Sequence, residues 1–131
     1  MNAKTIMVVD DSPTERAFVE GILRKRGYEV ITATSGETGI ERATADQPDL
    51  ILMDVVMPGL NGFQATRAIA HDESTKHIPI IICTTKGEDT DRIWGMRQGA
   101  KDYLVKPLNE SELLGKIKAL MNDEPGRRLI H

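Results

Sequence analysis

Short, nearly continuous apolar runs alternate along this chain with longer stretches whose apolar residues recur at helical spacing. The runs are Thr5–Val9, Glu29–Ala33, Leu50–Met53, Ile78–Cys83 and Asp102–Val105. Within them IMVV, LILM and IPIIIC are nearly continuously apolar, the pattern of strands buried on both faces of a sheet. Helix signals fill the intervals. Ser12-Pro13-Thr14-Glu15 offers an N-cap, a first-turn proline and a capping-box glutamate. Arg24-Lys25-Arg26-Gly27 offers a basic last turn closed by glycine. Asn109-Glu110-Ser111-Glu112 repeats the capping pattern ahead of Leu113, Leu114, Ile117, Leu120 and Met121, the apolar face of a fifth helix. Ser35 and Asn61 are weaker starts for the second and third helices, and the fourth spans Glu88 to Gln98 before Gly99.

Five strands alternating with five helices predict an α/β domain, a parallel sheet with helices on both faces. Right-handed crossovers restrict the topology, and the expected strand order is 2-1-3-4-5. Ligands then bind beyond the carboxyl ends of the strands, where the winding reverses. The chain has 131 residues, enough for one domain, here placed at residues 1–122 with a polar, flexible tail at 123–131 (DEPGRRLIH).

Composition narrows the class. With 40% hydrophobic and 28% charged residues, the chain is globular rather than disordered. A single cysteine, Cys83, excludes an internal disulfide and a Cys-rich zinc site, and fits a reducing compartment. No apolar run approaches a bilayer span, and the N-terminus lacks a signal-peptide core. The net charge of −3 comes without a basic block, and five aromatics are too few for a nucleic-acid stacking surface. A small cytoplasmic domain is expected, with no nucleic-acid partner and no membrane insertion.

The candidate chemistry sits where strands end. The first strand stops at Asp10-Asp11 and the third at Asp54, and the topology brings these ends to one crevice. At about 4 Å and an effective dielectric near 20, each like-charge pair costs on the order of 4 kcal/mol. Protonation, a lysine or a divalent cation can relieve that cost, and a few accessible carboxylates suit Mg²⁺ better than a closed Ca²⁺ cage. A lone strand-end aspartate most often caps a helix or turn; three on adjacent strands point to a site. Thr84 and Thr85 end the fourth strand, and Lys106-Pro107 the fifth. Carboxylates, a hydroxyl and an ammonium together can place a phosphoryl group on a carboxylate. Asp54 is the candidate nucleophile, Asp10 and Asp11 the metal ligands, and Thr84 and Lys106 the groups that bind phosphoryl oxygens.

VDDS at Val9–Ser12, MDVVMPGLNG at Met53–Gly62, TT at Thr84–Thr85 and GAKDYLVKP at Gly99–Pro107 resemble the motifs of CheY-like response-regulator receiver domains. The resemblance implies a flavodoxin-like (βα)5 doubly wound sheet. It implies that Asp54 is the phospho-acceptor and that Asp10, Asp11, Asp54 and the Val56 carbonyl surround Mg²⁺, for which Mn²⁺ can substitute. It makes Thr84, with Thr85, the switch hydroxyl position, Tyr103 the switch aromatic, Lys106 the phosphoryl-binding lysine and Lys106–Pro107 a cis peptide. A CheA-like histidine kinase is then the donor. The added charge draws Thr84 and Lys106 inward, Tyr103 follows, and the face of the fourth helix, fifth strand and fifth helix changes its preference for a motor or output partner. DDSPTE, VVMPGLNGFQATR and the TTK…RQGAKDYL stretch resemble more narrowly the stand-alone PilG/PilH-type receivers of type IV pilus (twitching) chemosensory systems. Monomer or weak dimer is the implied state, and type IV pilus motility or chemotaxis the implied output. Val56 and Lys86, two residues past the acceptor and the switch threonine, flank the attacking water and are expected to set dephosphorylation rate.

A phosphate sink for a shared kinase uses the same residues. A Mg²⁺-dependent aspartyl phosphohydrolase usually carries an acid two residues from its nucleophile, and position 12 is Ser. An adaptor without phosphorylation is disfavoured by the complete residue set. Cys83 reads as a buried, inert thiol. His71, His77 and His131 lack metal-ligand spacing. Trp94, beside Ile93 and Met96, is expected to pack against the domain, a partner-facing edge being the alternative. Pro58-Gly59-Leu60-Asn61-Gly62 lacks phosphate-loop spacing and reads as a turn into the third helix.

Overall fold

The computed structural model describes residues 3–85 and 89–121. Lys86, Glu88 and the tail at 123–131 lie outside them. In chain order the elements are β1 (Thr5–Val9), α1 (Pro13–Lys25), β2 (Glu29–Ala33), α2 (Gly36–Asp46), β3 (Leu50–Asp54), α3 (Gly62–Ala70), β4 (Ile80–Thr84), α4 (Asp89–Gln98), β5 (Asp102–Val105) and α5 (Glu110–Met121). The five strands form one parallel sheet in the order β2-β1-β3-β4-β5, the expected one among those the crossover rule allows.

Strand pleating divides the core in two. Ile6, Val8, Leu50, Leu52, Ile81 and Leu104 face α1 and α5, meeting Val19, Leu23, Leu113 and Ile117. Met7, Val9, Ile51, Met53, Ile80 and Ile82 face the opposite way, meeting Ala43 of α2 and Ala65 and Ile69 of α3. The interior strands β3 and β4 therefore carry apolar residues on both faces until their last positions, whereas the edge strands β2 and β5 admit Glu29, Thr32 and Asp102.

Element ends differ from expectation in instructive places. β4 begins at Ile80 rather than Ile78, because Pro79 has no N–H to give; its carbonyl still accepts from Ile51 N at 2.9 Å. Ser35 and Asn61, the weaker start signals, both make complete capping boxes: Asn61 with Gln64, and Ser35 with Thr38, which stands in for the usual Glu or Gln. Ser12 does the reverse. Its hydroxyl accepts from Glu15 N at 3.2 Å, but its own N–H goes to Asp10 Oδ1 at 2.9 Å, and the Glu15 carboxylate turns elsewhere. Trp94 corrects the packing expectation: it is 49% exposed on α4, beside the similarly exposed Ile93 and Met96. Among the described residues, no helix is long and apolar enough to cross a membrane.

Candidate functional site

The carboxyl end of the sheet gathers the polar groups. Asp10 follows β1 and is tied to β2 by its N–H to the Ala33 carbonyl at 3.0 Å. Arg16, one turn into α1, donates to the Asp10 carbonyl at 2.8 Å and fixes the turn from the other side. Asp54 is the last residue of β3, in register with Cys83 of β4. Lys106 follows β5, and its N–H reaches the Thr84 carbonyl at 2.7 Å, prolonging the ladder by one step. Three strand ends thus hold one cluster.

Lys106 Nζ lies 2.9 Å from Asp10 Oδ2 and 3.0 Å from Asp54 Oδ1. Glu15 Oε1 stands 3.6 Å from the same ammonium. Asp10 and Asp54 are buried, whereas Asp11 is exposed. Burial pushes the Asp54 carboxyl above its ordinary range; the Lys106 hydrogen bond and charge pull it back, and Asp10 and Asp11 raise it further. Burial opposes the charge on Lys106, but its bonds to Asp10 and Asp54 outweigh that, and its pKa stands above the usual lysine value. Burial also pushes the Cys83 thiol up to about 12, so it is a packing group beside the site and not a nucleophile.

Asp10, Asp11 and Asp54 each present a carboxylate oxygen within 4.8 Å of the others, the one such acidic group among the described residues. Hard oxygen donors, few in number and open to solvent through Asp11, fit Mg²⁺ that keeps several waters. Val56 lies in the loop after β3 with its side chain 70% exposed. That loop is pinned at its far end, where Gly62 N donates to the Val55 carbonyl at 3.0 Å. It is pinned again by α2, where Glu37 Oε2 accepts from Leu60 N at 3.4 Å.

The remaining predicted residues spread outward from this cluster. Thr84 is buried and Thr85 exposed at the end of β4. Tyr103 pairs with Ile82 across β4 and β5 and packs, half-buried, against the same core as Ile82. By the pleat, Thr84 and Tyr103 belong to the same face of the sheet. Arg92 and Lys116 approach the Tyr103 ring at 5.6 and 5.4 Å from its centroid. Beside the ring, Ile93, Met96 and Arg97 of α4 border an open groove along β5. The Lys106–Pro107 peptide bond is cis. Sequence reasoning missed Glu15, taken for a cap, and Arg16 and Glu37, whose contacts bridge different elements and leave no local pattern.

Comparison with known proteins supplies the context. The sequence profile described as the response regulator receiver domain matches residues 6–118. Protein PilH of Pseudomonas aeruginosa is 52% identical over 116 residues, covering 88% of this chain and 96% of PilH. The chemotaxis protein CheY4 of Vibrio cholerae superposes with a TM-score of 0.86 at 33% identity, covering 91% of this chain and 99% of the other. The receiver domain of the sensor histidine kinase PA1611 of P. aeruginosa was solved with a magnesium ion in its active-site cleft. It superposes with a TM-score of 0.87 at 32% identity, covering 93% of this chain and all (100%) of the other.

Proposed function

Because this chain belongs to the response regulator receiver domain family, we propose that it takes a phosphoryl group onto Asp54 from the phosphohistidine of a CheA-like histidine kinase. The observation that carries this reading is the convergence of Asp10, Asp11, Asp54 and Lys106 on one crevice, with Lys106 already bonded to the acceptor at 3.0 Å. An Asp54 oxygen attacks phosphorus, the phosphorus–nitrogen bond breaks, and the imidazole leaves with that electron pair. Asp10, Asp11, Asp54 and the Val56 carbonyl are the groups that would hold Mg²⁺, which would supply neutralising charge to the transferring phosphoryl. Lys106, whose ammonium already faces Asp54 Oδ1, would hold a phosphoryl oxygen.

The new charge, about −1.5 to −2, recruits Thr84, with Thr85 beside it, and Tyr103 follows on the same face of the sheet. The α4–β5–α5 surface then changes its preference for a downstream protein. Likeness to PilH supports an output in type IV pilus motility or chemotaxis. The test is direct. The protein is incubated with a small phosphodonor and Mg²⁺, and its mass is measured. A phosphoryl adduct that maps to the Asp54 peptide and fails to form when a chelator is present from the start is the expected result; no adduct overturns the reading.

Dephosphorylation follows from the same geometry. Water attacks phosphorus and releases inorganic phosphate with the Asp54 carboxylate restored. Apolar Val56, 70% exposed, cannot orient that water. Replacing Val56 with asparagine and Lys86 with glutamate is expected to speed loss of the adduct at least severalfold, followed by mass against time. An unchanged rate refutes the role given to both positions.

A further inference from the structure

On the phosphoryl-acceptor reading above, we propose that Glu15 is a positioning residue that weakens the site's hold on a phosphoryl group by sharing Lys106. The ammonium of Lys106 faces Asp10 Oδ2 at 2.9 Å, Asp54 Oδ1 at 3.0 Å and Glu15 Oε1 at 3.6 Å. The two aspartates belong to the acidic cluster that suits a divalent cation. Glu15 does not: it reaches the ammonium from α1, outside that cluster. A cation held by the aspartates therefore neutralises them and leaves Glu15 as the carboxylate that still claims Lys106.

Local structure sets this reach. Glu15 is the third residue of α1, its backbone N–H held by Ser12 Oγ at 3.2 Å. Its side chain is free of the usual capping duty because Asp10 Oδ1 already takes the Ser12 N–H at 2.9 Å. The adjacent Arg16 is committed to the Asp10 carbonyl at 2.8 Å. The Glu15 carboxylate thus points at Lys106 with 40% of its side chain still exposed, against 10% for Lys106.

The consequence is electrostatic. An incoming phosphoryl group needs Lys106 for one of its oxygens, and Glu15 both competes for that ammonium and repels the anion. The charge at position 15 therefore favours the unphosphorylated state and makes the modification easier to lose. A half-exposed ion pair of this kind changes an equilibrium by about two- to fivefold.

The test measures affinity rather than turnover. Beryllium trifluoride, an anion whose beryllium becomes tetrahedral on bonding a carboxylate oxygen and so mimics a bound phosphoryl group, is titrated calorimetrically at saturating Mg²⁺. Glu15→Gln keeps the shape and removes the charge, and is expected to bind the anion about two- to fivefold more tightly than wild type at low salt. Glu15→Ala is expected to share that gain. Raising the ionic strength is expected to shrink the gain in both variants, because the residue is partly exposed to screening ions. Equal or weaker binding by Glu15→Gln overturns the inference. So does a gain that salt leaves unchanged, which identifies repacking instead of charge. Failure of the wild-type protein to bind beryllium trifluoride overturns the phosphoryl-acceptor reading itself, and this inference with it.

Discussion

Replacing Asp54 with asparagine is expected to abolish the phosphoryl adduct and, in the absence of divalent cations, to stabilise the protein near neutral pH by about 1–2 kcal/mol. The two effects have one cause. Asp54 is only 6% exposed, and burial is the largest influence raising its pKa, with Asp10 and Asp11 adding to it. A carboxylate held in that position is a better nucleophile than its amide and a worse packing group. Asparagine keeps an oxygen that can accept from Lys106, removes one charge from a crowded cluster, and cannot form the acyl-phosphate.

The sign with pH follows. The folded-state pKa of Asp54 lies above its unfolded value of 3.8, so folding favours the protonated acid. The stability this supplies is fully present below 3.8 and is lost as pH rises through the folded value. Above that value the ionised group opposes folding. The advantage of Asp54→Asn is therefore largest at neutral pH and vanishes at strongly acidic pH. Urea unfolding of both proteins in a chelator, across that range, checks it. Mg²⁺ is expected to narrow the gap, since it stabilises the wild-type cluster by mass action more than a cluster lacking one carboxylate. A variant less stable than wild type at neutral pH in chelator refutes the account, as does a persisting adduct.

Much of the sheet was legible because both faces are covered. Ile6, Met7, Val8 and Val9 alternate between two cores, so β1 is apolar at every position after Thr5 and the strand announces itself. The crossover rule then placed Asp10 beside Asp54 before any contact was known. What stayed hidden depends on approach rather than pattern. Pro79 looks like strand interior in IPIIIC, yet it cannot donate to the ladder, and β4 starts after it. The Glu15 carboxylate is identical in sequence to a capping glutamate; only its distance to Lys106 shows otherwise. Trp94 stands next to apolar neighbours and still remains half exposed, because the inner side of α4 is supplied by Gly95 against Ile82. The cluster of charges was readable from strand ends, but the bonds that tune it cross between elements far apart in the chain.

Gly62 shows the same limit with the larger structural consequence. In the sequence it closes a Pro-Gly-rich turn and looks replaceable. In the structure a Cβ at this position would run into the Asp54 carbonyl oxygen and come within 2.8 Å of Val55 Cα, both of them backbone atoms that cannot rotate aside. The first turn of α3 is packed directly on the peptide of Asp54, and Gly62 N bonds the Val55 carbonyl at 3.0 Å. Gly62→Ala is therefore expected to cost about 3 kcal/mol in urea unfolding, since overpacking here must move main chain. It is also expected to weaken Mg²⁺ binding, because the displaced segment carries Asp54 and the Val56 carbonyl. The controls have the opposite sign. Gly21 in α1 and Gly115 in α5 have nothing within 4 Å of such a Cβ, and alanine there is expected to stabilise by up to about 1 kcal/mol while leaving Mg²⁺ affinity unchanged. Calorimetric Mg²⁺ titrations beside the unfolding curves separate the cases. If Gly62→Ala matches the wild type in both, then α3 does not brace the acceptor, and the close approach of helix to strand end has no part in holding the site.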